Sequence, residues 1–567
     1  MERDLERLSQ EVFDVLVVGG GIHGACIARD AAVRGLKVAL VEREDFGAAT
    51  SHNSLKLIHG GFRYLQHLDF PRVRQSLQER HYWLWAAPHL VRPLKFLMPL
   101  YGHTTRGPAA LWAATQLYQL LGMDRNRDLP PGQRIPAGGV VSRAECQRLI
   151  PGVDSAGLSG GAYWYDGQML DADRLLLACL HDACAAGAVV ANHCEATGFL
   201  GDETRVAGVK ARDRLTDDPL EIRARLTVNA CGPWVDGLLA RGLQRRRQGF
   251  TGLSKCMNLV IPQLNPGFGF AVRSHRASDA VVGKSRRLFF FTPWHDRTVV
   301  GTSHLPYTGA PDDCRFTEQD VAEFLAELDA AYPSAGLRLE DVYYCYGGMT
   351  PAEEDAQGKE VRRSRSSEIV DHRHSHGIQG LISAVGVKWT TARWVAEQAV
   401  DRAFEHLDQT RVACRLRQRP LPGGRDTPDT TVLAEQARRE LGNEVTFSRL
   451  RGTFGSEYSR VLADGGWQAG EADGAAALLR ARCRYAIRME QARRLGDLVF
   501  RRLDLSHRGH LDAATLRDCA ETMGAELGWS AARVASELAA VQRERLWRPA
   551  PGPVSAGEDG ALSPVTP

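Results

Sequence analysis

One segment near the start of the chain constrains its fold more than any other. Residues 13–18, FDVLVV, are a β-branched apolar run of the kind that forms a buried parallel strand. GGGIHG follows at 19–24, then ACIARDAAVRG with helical spacing, then LKVALVE, a second strand ending at Glu42. Strand, glycine turn, helix and strand make a βαβ unit. Gly19 permits the tight turn, Gly21 lets backbone approach a pyrophosphate, and Gly24 lets the helix close on the strand. The helix N-terminus offers free N–H groups and a partial positive charge to phosphates. Glu42 can accept hydrogen bonds from a ribose that carries no 2′-phosphate. A lone G-x-G-x-x-G is weak, but here the whole unit is in register, so a dinucleotide site is expected. Two points favour FAD over NAD. No second such motif exists for a separate nicotinamide, and glycine-rich strand ends recur far downstream at NACGPW and AVGVKWTT.

A chain of 567 residues is expected to hold two or more domains. Formal net charge is +3, from 71 basic and 68 acidic residues, which gives no general case for nucleic-acid binding. The 12 cysteines are scattered without a CxxC pair, so reduced thiols are expected, with no metal site and no disulfide framework. MERDLERLSQ has no apolar signal region, and no apolar run is long enough to span a membrane. The expected location is cytoplasmic, with peripheral contact at the inner face of the cytoplasmic membrane left open.

From Phe70 to about Met123 the pattern reads as helical, interrupted by PHLVRPLKFLMPLYGH. AALWAATQLYQLLG sets Leu111, Ala114, Tyr118 and Leu121 on one helix face, read as core packing in preference to a lipid or quinone surface. NLVIPQL, RLFFFTPWHDRTVVGTS and DVYYCYGGMTP read as antiparallel strands. RQRPLPGGRDTPDT reads as a linker, residues 430–545 as almost wholly helical, and the last twenty residues as having nothing to bury.

The run DVLVVGGGIHGACIARDAAVRGLKVALVEREDFGAATS, with SLKLIHGGFRYL after it, strongly resembles the aerobic, quinone-linked FAD-dependent glycerol-3-phosphate dehydrogenases and the related α-glycerophosphate oxidases. Further matches come in order: YWYDGQMLDADRLLLACLHDACAAGA, TVNACGPWVD, FFFTPWHDRTVVGTS, VGVKWTTARWVAEQAVD and LPGG, then RCRYAIRMEQARRLGDLVFRRLDL in the C-terminal block. The resemblance covers roughly residues 12–540. It implies an α/β (α+β) fold: a Rossmann-type FAD-binding domain with an antiparallel-sheet substrate domain and an all-helical C-terminal domain. The expected division is an oxidoreductase body over 12–415, with FAD-binding segments about 12–90, 165–250 and 375–410 and substrate segments about 91–164 and 251–374. A linker over 416–429, a helical domain over 430–545 and a disordered tail over 546–567 complete it.

The resemblance also implies oxidation of sn-glycerol 3-phosphate to dihydroxyacetone phosphate, with hydride passing from C2 to flavin N5. Electrons then go to a quinone, or to oxygen. Carried over by position, Gly19, Gly21, Gly24 and Glu42 match adenine-side FAD contacts, and Thr50, Ser51, Ser54 and Lys56 match the loop beside the flavin. Gly232 and Pro233 match a second flavin-side turn, and Lys388, Thr390 and Thr391 a closing element. His59, Arg63 and Tyr64 match the active-site HGGxRY element. The expected catalytic set is His59, Arg63 and Lys388, with Arg63, Tyr64 and Arg365 binding substrate. These types suit the chemistry: arginine forks onto a dianionic phosphate, lysine stabilises developing negative charge, and histidine serves as a base near neutral pH. The expected partners are a small phosphorylated polyol, a quinone or oxygen, a membrane surface in peripheral contact, and a second copy of the chain as a homodimer.

Four departures fall on the substrate side. TSHNSLK stands where the family has TSSxSSK or TSSRSTK, so His52 and Asn53 are unusual and Leu55 replaces a hydroxyl residue beside Lys56. KCMN puts Asn258 where a histidine is expected, and GGMTP puts Thr350 where a substrate arginine is expected. GVK and TTAR bring Val387 and Ala392 into the closing element. Each lost charge-assisted hydrogen bond is worth roughly 1.5–3 kcal/mol. His52 is a candidate replacement for the missing histidine, and Arg362, Arg363 and Arg365 for the missing arginine. Two rivals remain: the same scaffold acting on another hydroxy or amino substrate, and a flavin-binding protein that has lost catalysis.

Overall fold

The computed structural model describes residues 1–102, 107–243, 252–277, 286–354, 361–363, 367–424, 444–467, 474–505 and 512–544. The early apolar run becomes β1 (Val12–Val18), near the middle of an eight-stranded sheet. Val15, Leu16 and Val17 are fully buried, as a strand covered on both faces requires. After β1 the chain turns into α1 (Ile22–Val33) and returns as β2 (Val38–Val41), parallel to β1. Strands Pro219–Asn229 and Leu381–Val385 extend the parallel order on one side of β1, and Val189–Ala191 extends it beyond β2. The C-terminal ends of β1, Pro219–Asn229 and Leu381–Val385 therefore lie at one edge, where open α/β sheets bind ligands. Glu368–Asp371, expected among the substrate segments, pairs antiparallel with Leu381–Val385 in this sheet.

Helix α2 (Phe70–Ala86) leads into β3 (Val91–Tyr101), then α3 (Pro108–Leu121) and β4 (Leu158–Met169). The expected interruption of a helical stretch is thus a full strand, paired with β4 along its length. β3 and β4 belong to a second, ten-stranded, mainly antiparallel sheet. Its other half includes β5 (Gly252–Pro262), β6 (Arg297–Tyr307) and β7 (Tyr344–Glu354), with β5 between the other two. The short strand Leu57–Ile58, expected on the FAD side, joins this sheet through β4. On the inner face of α3 Tyr118 is buried, with Leu111 and Leu121 partly buried beside it, so that face packs on the core as expected. Its outer face leaves Trp112, Leu117 and Leu120 exposed, and Met123, just past its end, is exposed too. No helix among the described residues is long and apolar enough to cross a membrane.

The C-terminal block is helical, from Glu444–Phe454 to Ala531–Glu544. Leu498, Val499 and Phe500 pack with Trp294, Tyr344 and Tyr346 of the large sheet. Buried ion pairs tie the block to the parallel-sheet side: Arg174 meets Glu490, and Asp45 meets Arg501 and Arg502. Residues 416–424, expected in a linker, are part of the body. Leu416 and Leu421 are fully buried, the Leu421 N–H donates to the Ala86 carbonyl at 2.9 Å, and Arg419 pairs with Asp182 at 2.8 Å. Apolar side chains at 416 and 421 outweigh the Pro and Gly signal around them. Residues 425–443 and the tail lie outside the described residues.

Candidate functional site

The glycine turn closes as its spacing predicts. Gly19 has φ +110°, and a Cβ on Gly24 would stand 1.9 Å from the Gly19 carbonyl oxygen. Only hydrogen fits there, so α1 starts directly against the turn. Glu42 accepts from the Gly20 N–H at 2.6 Å and the Glu44 N–H at 2.9 Å. Burial raises its pKa above the usual carboxylate value, against the pull of those two donors. Ser51 Oγ accepts from the Ile22 N–H at 2.9 Å, joining the 50–56 loop to the first turn of α1. Gly232, φ +55°, opens the second turn, and Ala230 before it lies against Gly19. His23 in the first turn of α1 has a buried Nε2 without a hydrogen-bond partner, and burial lowers its pKa to about 4. Its ring occupies the space a Cβ on Gly386 would need, 2.0 Å away. Free backbone donors at a helix start, an acidic ribose acceptor and an orphaned buried nitrogen fit a bound dinucleotide.

Two distant segments meet beside this turn. Trp389 Nε1 donates to the Ser51 carbonyl at 3.0 Å, and the His59 N–H donates to Thr390 Oγ1 at 2.9 Å. Lys388 Nζ lies 4.2 Å from the centre of the Tyr64 ring, a cation–π contact. The fold thus brings Ser51, His59, Tyr64, Lys388 and Thr390 together. The side chain of Arg63 and all of Arg365 lie outside the described residues, as do the side chains of Arg362 and Arg363.

Behind His59 stands a buried network. Its half-exposed ring has Nδ1 3.8 Å from Asp166 Oδ2. Asp166 also accepts from the Gly60 N–H at 2.6 Å, Trp164 Nε1 at 3.0 Å and Arg80 at 3.1 Å. Burial pushes the Asp166 pKa up, but His59, Arg80 and the Gly60 N–H outweigh it and hold the carboxyl below its usual value. Arg80 in turn donates to Tyr118 of α3 at 3.2 Å. Asp166 and Arg80 carry no motif of their own, and the antiparallel pairing of β3 and β4 with α2 packed on it is what collects them.

The loop's own side chains divide. Thr50 Oγ1 donates to the Met349 carbonyl of β7 at 2.7 Å, and Ser54 Oγ accepts from the Lys56 N–H at 3.4 Å. Lys56 turns inward. Its Nζ donates to the His52 carbonyl at 2.7 Å and lies over the Tyr346 ring at 4.4 Å, and the residue is 1% exposed. His52 is buried too, its Nδ1 2.8 Å from Asp173 Oδ2 and its ring edge-on to Tyr346. It does not stand in for the missing histidine. Asn258 fills that place, holding Thr302 Oγ1 at 2.7 Å through Oδ1 and the Asn53 carbonyl at 3.5 Å through Nδ2.

Across β5, β6 and β7 the register puts His304 opposite Cys256, Thr350 opposite Ser254 and Tyr346 opposite Asn258. Directly opposed residues share a face. That face carries Gly348, whose missing Cβ would meet Thr50 and Asn53 of the loop. Lys255 and Met257 alternate to the other face, where Lys255 pairs with Asp320 and Met257 joins a separate core.

A dinucleotide turn at the edge of a parallel sheet, His59 and Lys388 on the two segments that meet beside it and an antiparallel sheet bonded to the same loop define a class: a flavin-type oxidoreductase. The model for FAD dependent oxidoreductases matches residues 14–402, and that for the C-terminal domain of alpha-glycerophosphate oxidase matches residues 414–534. Glycerol-3-phosphate dehydrogenase from Synechocystis sp. is 31% identical, over 93% of this chain and 95% of the relative. Glycerol-3-phosphate dehydrogenase 2 from Mycobacterium tuberculosis is 32% identical, over 99% and 93%. The FAD-complexed glycerol-3-phosphate dehydrogenase from Bacillus halodurans superposes with TM-score 0.73 at 25% identity, covering 96% of this chain and 98% of that one. The chain belongs to the FAD-dependent oxidoreductases, of the glycerol-3-phosphate dehydrogenase type, and its cofactor is FAD.

Proposed function

We propose that the chain oxidises sn-glycerol 3-phosphate to dihydroxyacetone phosphate and passes the electrons to a quinone. The observation that carries the reading is the meeting of residues 50–64 with residues 386–391 beside the glycine turn: His59 on Thr390, Tyr64 on Lys388, Ser51 on Trp389. Gly19, Gly21, Gly24, Glu42, Thr50, Ser51, Ser54, Gly232 and Thr390 hold the cofactor, with Lys56 bracing the loop from within. Bound FAD supplies the two-electron acceptor for the hydride that leaves C2. His59, oriented by Asp166, takes the C2 hydroxyl proton. Lys388 stabilises the negative charge growing on that oxygen. Arg63, Tyr64 and Arg365 bind the substrate. In domain terms, the body, which includes residues 416–424, carries this chemistry and the helical block braces it.

The exposed outer face of α3 and the turn after it support peripheral membrane contact, since Trp112 and Leu120 of the helix are 54% and 60% exposed and Met123 of the turn 73%. A lipid-soluble quinone is reached from such a surface. The test is anaerobic reduction of the purified flavin by glycerol 3-phosphate, followed by reoxidation with a soluble quinone or with oxygen. Bleaching by substrate and rapid quinone return are the expected results. A flavin that glycerol 3-phosphate leaves oxidised refutes the substrate. A second reading, another hydroxy or amino substrate on the same scaffold, is favoured by Thr350 and Asn258, and a substrate screen by flavin bleaching separates the two.

A further inference from the structure

We propose that Arg43, Trp234 and Asp312 form a clasp between the two sheets at the Glu42 end of the FAD site, and that this clasp sets how fast the cofactor leaves. The proposal rests on FAD as the cofactor and not on the substrate reading, so the two stand or fall separately. Arg43 directly follows Glu42, the ribose acceptor, just past β2. Trp234 ends the short turn that Gly232 opens after Pro219–Asn229. Both therefore stand at the edge of the parallel sheet where the glycine turn lies. Asp312 comes from the other sheet, in the turn Pro311–Asp313 that follows β6. Its Oδ1 accepts from Arg43 Nη2 at 2.7 Å and from Trp234 Nε1 at 2.8 Å. The Arg43 guanidinium lies 4.3 Å from the centre of the Trp234 ring, so the three groups close a triangle.

The charges around the triangle leave these partners to one another. Glu44 pairs with Arg214, and Glu42 accepts from the Gly20 and Glu44 N–H groups. Among the described residues Asp312 is the one carboxylate that Arg43 pairs with. Asp312 is exposed, and an exposed ion pair by itself holds little. Here a single carboxylate oxygen takes both an indole N–H and a guanidinium stacked on that same indole, so the three side chains are ordered together. A dinucleotide with its phosphates on the glycine turn and its ribose on Glu42 leaves when the two sheets part at this end, and the Asp312 contacts must break for them to do so.

The test is the rate at which FAD leaves. Asp312→Asn keeps an oxygen for the Trp234 N–H and removes the charge. Asp312→Ala removes both, and Arg43→Gln removes the ion pair and the stack. Each holoenzyme is held dilute at a temperature where wild-type FAD leaves within hours, and freed FAD is collected by ultrafiltration at intervals. Loss of helix in urea is measured beside it with FAD in excess. The expected result is release about threefold faster from Asp312→Asn and Arg43→Gln and about tenfold faster from Asp312→Ala, with the urea midpoint unmoved. The Arg43→Gln, Asp312→Asn double variant should release FAD more slowly than the product of the two single effects requires. Wild-type release should also quicken between roughly 0.05 and 0.5 M salt more than release from Asp312→Asn, because an exposed pair is screened. The sign of the effect separates a clasp from a simple field. By its charge alone Asp312 repels a pyrophosphate, so without a clasp its removal would slow release. Slower or unchanged release overturns the proposal. So does faster release with an equal fall in the urea midpoint, which means that the contact only pins the turn Pro311–Asp313. Should Asp312→Ala fail to accumulate, Asp312→Asn decides by the same criteria.

Discussion

Asp45 offers the most direct test of how the helical block supports the flavin side. It is fully buried, three residues after Glu42 at the start of the loop. Its carboxylate accepts from Arg501 Nε at 2.6 Å, from Arg502 Nη1 at 2.8 Å and Nη2 at 2.7 Å, and from Asn192 Nδ2 at 2.9 Å. Burial alone would raise its pKa, but the two guanidiniums outweigh it and hold the carboxyl far below the usual carboxylate range. Asp45→Ala leaves two buried guanidiniums short of their main counter-charge. Breaking a buried pair this way costs about 3–5 kcal/mol, or about two to four decades in an equilibrium constant. Arg501 keeps Asp497 at 3.0 Å and Arg502 keeps the Glu490 carbonyl at 2.9 Å, so the lower end of that range is expected. The assay is urea unfolding followed by circular dichroism and by flavin release in parallel. Flavin release is expected to move to lower urea at least as far as the loss of helix. Adding Arg502→Met to Asp45→Ala should cost less than the two separate losses together, because it removes one stranded charge. A loss under about 1 kcal/mol, or strict additivity, would refute the reasoning.

Three further outcomes are expected. Gly24→Ala puts a methyl 1.9 Å from the Gly19 carbonyl oxygen, so the purified protein should lack bound flavin, read by its visible absorbance. His59→Gln should slow flavin reduction by about 10²–10⁴-fold while leaving flavin content unchanged, and Asp166→Asn should slow it less, since it only orients the ring. Asp171 is pushed up to about 7 by burial and by the charges of Asp504 and Asp173. A carboxyl raised in the fold gives its full stability below the unfolded pKa of about 4 and loses it as pH rises through 7. Between about pH 4 and 7 the wild type should therefore lose stability relative to Asp171→Asn, which can still cap its helix, by on the order of 1 kcal/mol per pH unit, and no further above that. Asp45 and Glu490, both held low, act in a separate window below about pH 4.

The nucleotide end was legible because its requirements are local. Gly19, Gly24 and Glu42 are fixed by a turn, a close approach and a strand end within one βαβ unit, and each leaves a trace in the residue type. The site around His59 was legible only in part. His59, Tyr64 and Lys388 came through resemblance, whereas Asp166 and Arg80 are assembled by pairing between distant strands and a helix. β3 was hidden by Pro93 and Pro99. The structure tolerates them because the parallel neighbour of β3 pairs with it only at Phe96 and Leu97. His52 misled for the opposite reason. An unusual polar residue in a site loop suggested contact with substrate, yet Asp173, from a helix more than a hundred residues away, draws it into the interior.

The chain lays its two chemistries on two different sheets. The residues proposed to hold the cofactor ride on the parallel sheet, its glycine turn and the loop that follows, whereas Ser254, Cys256, Asn258 and Thr350 ride on the antiparallel one. The loop from Thr50 to Ile58 belongs to both, bonded to α1 at one end and paired with β4 at the other. Two of the departures, Asn258 and Thr350, fall on the antiparallel wall, whereas His52, Asn53 and Leu55 fall on the shared loop and Val387 and Ala392 beside the parallel sheet. For an engineer, the wall formed by β5, β6 and β7 is the part to vary, and the loop is the part to leave alone.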